Sequence, residues 1–248
     1  MEVQSDIAKI ASLGYTTIRS YSTDCGVFDN VVPACQKHGL KVIYGIFLDA
    51  SKGPNSAGAN EQLQDIIDNA PKDSMAMLIV GNEAIFAHGV QAGDLAAYIK
   101  VCKQKLLDAG FPSDIPVTTA EPVGTWEEYG AALCDVIDVF AAQVHPFFDG
   151  GITAGQAGDF ALKQIEQAAK VCPEAAARGK YISEIGWPKY GEANGAAVPG
   201  VSQQKEAIES IISAVGEFAC IFSFQDDEWK EPGAFGVERS FGCADILP

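Results

Sequence analysis

Short, continuously apolar segments alternate with amphipathic ones along all 248 residues, and polar and aromatic residues collect immediately behind the apolar runs. Apolar strands separated by helices predict a parallel sheet covered by helices. Functional-looking residues at the carboxyl ends of the strands predict a (β/α)8 TIM barrel, whose active sites lie at that end. A doubly wound open sheet would share the alternation, but no Gly-rich phosphate loop follows a first strand. About seven strands can be counted and the chain opens on a helix, so the first β-strand of the barrel is expected to be absent from the amino end.

Taken in order, Val3, Ile7, Ile10, Ala11 and Leu13 recur at helical spacing and Gly14 ends the helix. Residues 16–21 are β-branched and read as a strand that delivers Arg19, Tyr21 and Asp24 to its end. A helix over 28–38 closes on Gly39, a strand covers 42–47, and a loop of Gly, Ser, Pro and Asn over 51–60 leads to a helix over 61–69. The next strand, 75–83, ends in Gly81-Asn82-Glu83. A helix over 94–109, a strand from 115 into Ala120-Glu121-Pro122, a helix over 126–134 and an apolar run over 136–144 follow, the last ending at His145-Pro146-Phe147-Phe148. After a helix over 156–171, the strand 181–187 carries Glu184 and is stopped by Gly186, Trp187 and Pro188. A helix over 203–215 and a strand over 221–225 lead to Asp226-Asp227-Glu228-Trp229-Lys230. No repeat, linker or low-complexity tract interrupts the pattern, so a single domain, 1–248, is expected.

The bulk composition excludes several classes. With 33 acidic against 17 scattered basic residues and a net charge of −16, the chain would be repelled by a phosphate backbone, so no nucleic-acid partner is expected. No apolar run approaches the ~20 residues needed to cross a bilayer. The polar start has no basic n-region or apolar h-region, so a secretion signal is expected to have been removed already. Seven cysteines (Cys25, Cys35, Cys102, Cys134, Cys172, Cys220, Cys243) show no CxxC spacing, and with three histidines they do not read as a zinc site. Disulfides of a secreted enzyme and buried free thiols both fit them, and the odd count leaves one without an intrachain partner. No metal or cofactor is expected, and the chain is read as a monomer.

Two apolar strands that each end in a glutamate, Glu83 and Glu184, are the main functional signal, because a carboxylate at the lip of a core strand is costly without a task. Two carboxylates at a barrel mouth flanked by aromatics suit glycoside hydrolysis. One protonated acid serves the leaving oxygen, and one ionised carboxylate attacks the anomeric carbon. Asn82, beside Glu83, can hydrogen-bond a sugar 2-hydroxyl. Each candidate also has a plainer role. Either glutamate could cap its strand in an ion pair. Arg19 could neutralise a neighbour or lower the nucleophile's pKa. Tyr21 and Asp24 fit sugar contact and loop anchoring equally. His145 could orient Glu184 or pack in the core, and Trp187 could be core but, with the strand just ended, is expected to stack on a sugar face. Phe147 and Phe148 read as packing, and Glu121 as a support for its neighbours or an ordinary loop acid.

Val80-Gly81-Asn82-Glu83 and Ile182-Ser183-Glu184-Ile185-Gly186-Trp187-Pro188 resemble the two signatures of glycoside hydrolase family 17, the β-1,3-glucan enzymes, in their fungal form. The resemblance extends to Tyr15 through Cys25, to Thr118-Thr119-Ala120-Glu121-Pro122, to Val144-His145-Pro146-Phe147-Phe148 and to Phe224 through Lys230. It implies a (β/α)8 barrel with a retaining mechanism, Glu83 as acid/base after the fourth strand and Glu184 as nucleophile after the seventh. It also tips Glu228, Trp229 and Lys230, which on their own read as a solvated turn, towards binding the glucose at the cleavage point. Only two strands precede the one ending in Glu83, in agreement with a missing first strand, and the resemblance leaves Cys25 unpaired. The implied partners are β-1,3-glucan or laminari-oligosaccharides and the implied place is outside the cell or in the cell wall. The implied activity is endo-hydrolysis, glucanosyl transfer or both. A non-catalytic glucan-binding barrel is the alternative. An isomerase or aldolase would want a phosphate loop or a strand-end lysine.

Overall fold

The computed structural model describes residues 2–49, 51 and 53–248; Met1, Ala50 and, in the expected 51–60 loop, Lys52 lie outside the described residues. Seven strands form one sheet in which spatial order follows chain order: β1 (Thr17–Arg19), β2 (Lys41–Ile46), β3 (Met75–Asn82), β4 (Val117–Pro122), β5 (Phe140–Gln143), β6 (Lys180–Ile185) and β7 (Ala219–Ile221). The β1–β2, β2–β3, β3–β4 and β6–β7 pairs are parallel. Between them run α1 (Glu2–Ser12), α2 (Val32–His38), α3 (Ala57–Asn69), α4 (Ala92–Asp108), α5 (Val123–Tyr129), α6 (Ala157–Ala168), α7 (Pro173–Arg178) and α8 (Val201–Val215). This is the (β/α)8-barrel fold with seven strands among the described residues and a helix ahead of the first of them. The chain divides into two compact units, 1–141 with 171–179, and 142–170 with 180–248.

The first unit carries β1 to β4 and the start of β5. Its core is built from Val42, Tyr44 and Ile46 of β2, Leu78 and Val80 of β3, and Leu63, Ile66 and Ile99 from the helices, all buried. Trp126 is enclosed against Phe140 at 4.6 Å and donates Nε1–H to the Ala141 carbonyl at 3.0 Å. A disulfide joins Cys134 to Cys172. Cys25 is a free, exposed thiol, as the resemblance implied, and Cys35 and Cys102 are buried thiols. The second unit packs α6 and α8 beside β6 and β7, with Ile165, Ile182, Ile185, Ile208, Ile211, Phe147 and Phe241 buried.

Several boundaries differ from the expected ones for local reasons. The helix expected at 61 begins at Ala57, because Ser56 takes the N-cap and accepts the Ala59 N–H at 3.2 Å. The 28–38 helix is two elements, a π-turn over Val27–Val31 and then α2, closed by Gly39 at φ +71° as anticipated. The apolar run 136–144 becomes strand only from Phe140. Asp138 turns its carboxylate to the Val117 N–H and to Lys103, and the Val136 and Ile137 N–H groups bond back to Leu133. The last strand stops at Ile221, not 225. Beyond it the backbone exchanges partners, Ser223 and Phe224 bonding to 241–244. The short helix α7, opened by Pro173, had no counterpart in the sequence reading.

Candidate active site

In the first unit the site is built at the ends of β1, β3 and β4. Apolar Met77 to Val80 of β3 are buried and bring the chain to Gly81, whose φ of +83° turns it. A Cβ at Gly81 would meet the Ala84 Cβ at 2.9 Å, so both conformation and space call for glycine. Glu83 follows at φ +50°, an uncommon backbone for a residue with a side chain. Its N–H donates to the Ala120 carbonyl of β4 at 2.9 Å, and its own carbonyl accepts the Ala87 N–H at 2.7 Å. Half-buried Glu83 thus sits at the lip of the strand, as the sequence implied.

Arg19, at the end of β1, donates from Nη2 to the Asn82 Oδ1 at 2.6 Å, and its guanidinium lies 4.3 Å from the centre of the Tyr21 ring. The rigid fork of Arg19 therefore fixes which end of the Asn82 amide is acceptor and which is donor, while Tyr21 braces the guanidinium. Asp24 is exposed and accepts from Ser22 Oγ, which is the loop-anchoring role. Glu121, the acid that sequence left open, is fully buried at 0% exposure. Its Oε1 accepts the Ile85 N–H at 2.8 Å and its Oε2 the Phe86 N–H at 3.2 Å. Burial pushes the Glu121 carboxyl up to about 7; the bonds to Ile85 and Phe86 oppose the rise, and the nearby Glu83 charge adds to it.

In the second unit Glu184 lies within β6, its carbonyl accepting the Val144 N–H at 3.1 Å. His145 Nε2 stands 2.9 Å from Glu184 Oε1, and Gln143 Nε2 reaches Oε2 at 3.4 Å. The imidazole is held by ring edges, with Phe222 and Phe241 at 5.9 Å and Phe148 at 6.1 Å. Of the two roles open to His145, the one beside the glutamate is the one observed, in a ring that is itself packed. With its proton on Nε2 the ring donates to the carboxylate and fixes its direction. Asp227 collects two neighbours, Lys230 Nζ at 2.9 Å and Trp229 Nε1 at 3.2 Å. Lys230 also lies 4.5 Å over the Phe222 ring, whereas Glu228 is exposed and Trp229 is 80% exposed.

Trp187 corrects the sequence expectation. It is fully buried, packs edge-on against Phe147 at 5.4 Å and donates Nε1–H to the Val198 carbonyl at 3.0 Å. The strand does end before it, but the 189–200 loop comes back over the indole and supplies its acceptor. The ring is core, with no face for a sugar. Phe147 is buried as expected, whereas Phe148 is 41% exposed. Sequence reasoning passed over Gln143 and Asp227. Gln143 had a signal, since it stands two residues before His145 and the alternation of an extended chain puts both on one side. Among the described residues no group of His, Cys, Asp and Glu could hold a metal ion.

A parallel (β/α) fold with a glutamate just past β3 in one unit, and in the other a glutamate of β6 clamped by an imidazole, is of the barrel-enzyme class, which works from the carboxyl ends of its strands. The chain belongs to the BtgE/BtgC glycoside hydrolase domain family, whose model matches residues 1–242. It is 43% identical over 246 residues to the probable beta-glucosidase btgE of Aspergillus terreus, covering 98% of this chain and 42% of that protein. The chain therefore spans about two-fifths of the length of that relative. Its fold is similar to the crystal structure of a glycoside hydrolase family 17 beta-1,3-glucanosyltransferase from Rhizomucor miehei, with a TM-score of 0.81 at 22% identity, covering 97% of this chain and 85% of the other. An active-site mutant of the Rhizomucor miehei enzyme in complex with laminaritriose is similar at a TM-score of 0.79, 22% identity and the same coverage, 97% and 85%.

Proposed function

We propose that this domain acts on the β-glucosidic bonds of a β-1,3-glucan, with retention of configuration, through a covalent glycosyl-enzyme intermediate. The observation that carries the reading is the match of residues 1–242 to a glycoside hydrolase domain in a chain that keeps both glutamates. A β-linked glucose is the unit common to the names of the relative and the laminaritriose-bound neighbour.

In this mechanism Glu184 attacks the anomeric carbon while Glu83 gives its proton to the leaving oxygen. The glycosidic C–O bond breaks as the glycosyl–carboxylate ester forms. Glu83, now ionised, takes a proton from water or from the hydroxyl of a second sugar, and that oxygen displaces Glu184. Water gives hydrolysis; a sugar gives transfer. His145 holds the Glu184 carboxylate aimed before attack. Asn82, its amide oriented by Arg19, donates to the 2-hydroxyl as the oxocarbenium-like state develops. Lys230 and Glu228 hold the glucose at the cleavage point, Tyr21 braces the Arg19 guanidinium, and Asp24 anchors the loop that follows β1. The Cys134–Cys172 disulfide supports an oxidising, extracellular or cell-wall setting.

The test is incubation with laminari-oligosaccharides, following anomers by NMR and lengths by chromatography. The β-anomer must appear first, with products longer than the substrate if transfer competes, and Glu184→Ala must lose turnover by several orders of magnitude. An α-anomer first overturns the retaining mechanism. Binding without turnover, unchanged by Glu184→Ala, means a glucan-binding module.

A further inference from the structure

Glu121 is the one fully buried carboxylate among the described residues, and its bonds lead to the turn that carries Glu83. Two successive residues of β4 grip that turn: the Ala120 carbonyl takes the Glu83 N–H, and the Glu121 carboxyl takes the N–H groups of Ile85 and Phe86. Within the segment the Ala87 N–H bonds to the Glu83 carbonyl and the Val90 N–H to the Ala84 carbonyl. Inside this frame Glu83 holds a left-handed backbone, which is costly for a residue with a side chain.

The choice of an acid at 121 fits that duty and little else. Two neighbouring N–H donors require two acceptors side by side, which a carboxyl offers and an amide does not. A glutamine would set its NH2 against one of the donors.

Building on the assignment of Glu83 as acid/base, we propose that Glu121 is a positioning residue for the reaction, fixing the 83–87 turn, and with it the direction of the Glu83 carboxyl, from a place that substrate never reaches. It binds no sugar, so it acts on turnover and not on affinity. A displacement of the order of 1 Å at a proton donor costs about 100-fold in rate.

The test compares wild type with Glu121→Gln and Glu121→Ala. It reads kcat and KM on a laminari-oligosaccharide, together with amide hydrogen exchange at residues 85 and 86. Glu121→Gln is expected to lower kcat about 10-fold and Glu121→Ala about 100-fold, with KM within about 2-fold in each. Exchange at Ile85 and Phe86 should rise about 10-fold, while the amides of β2 keep wild-type protection. If Glu121→Ala does not fold, Glu121→Gln alone decides. The inference is overturned if a folded variant keeps kcat within about 2-fold of wild type, if KM rises in step as kcat falls, or if exchange rises evenly over the unit. Should the wild type itself turn over no β-glucan, the proposed function fails, while the exchange at 85 and 86 still decides whether Glu121 holds the turn.

Discussion

Glutamine at position 121 should change how stability depends on pH. The Glu121 carboxyl is raised from 4.5 to about 7, chiefly by burial. A raised acid binds its proton more tightly in the native state than in the unfolded chain. Between those two pH values the native protein keeps a proton that the unfolded chain has released, so stability falls as pH rises through this window. The contribution is fully present below about pH 4.5 and gone above about pH 7. At about 1.4 kcal/mol per pH unit, the span amounts to about 3 kcal/mol. Glutamine cannot ionise, so Glu121→Gln lacks this slope, and its own constant cost is the strain of the misplaced NH2 group. Urea unfolding of both proteins at half-unit steps from pH 4 to pH 8 isolates the residue and its coupling to Glu83, because titrating groups remote from it cancel in the difference. The expected result is a difference curve in which the variant gains about 3 kcal/mol relative to wild type across the window. Adding Glu83→Gln to wild type should narrow the window from above, since the Glu83 charge is one cause of the raised value. A difference curve flat to within about 1 kcal/mol would sink the reasoning, because it would mean that burial leaves this carboxyl at its ordinary value.

Trp187→Phe should lower stability by about 1–3 kcal/mol in chemical denaturation, from the lost bond to the Val198 carbonyl. KM for a laminari-oligosaccharide should stay unchanged; a raised KM with wild-type stability would restore the sugar-stacking role. Replacing Cys134 and Cys172 together with serine should cost about 4 kcal/mol by the chain-entropy estimate for a separation of 38 residues, read from urea unfolding free energies, with a steeper slope because the uncrosslinked chain opens further. In native protein, iodoacetamide should label Cys25 well before Cys35 and Cys102, whose thiols burial pushes up to about 11 and about 12; peptide mass spectrometry after timed quenching decides.

The alternation of apolar runs and helices was sufficient for the fold class, because a strand buried on both faces leaves a continuous apolar signature. Boundaries failed where a side chain took over a backbone bond, as at Ser56 and Asp138, since that choice depends on a partner distant in sequence. Glu83 and Glu184 were legible because a carboxylate breaks an apolar run visibly. Trp187 misled, since the end of a strand says nothing of a loop that returns to cover the next residue. Glu121 was seen but not understood. Its duty lies in two backbone amides 35 and 36 residues away, which carry no sequence signal of their own.

The chain leaves the first unit after Ala141 and rejoins it at Val171, and the Cys134–Cys172 bond closes a covalent ring around that whole excursion, His145 included. A protease that nicks the excursion once therefore opens the ring without severing the molecule. On a non-reducing gel the clipped protein runs as one band, and only a reductant divides it in two. Where digestive enzymes surround the domain, the His145 strand end stays tethered after a cut that would release it from a reduced chain.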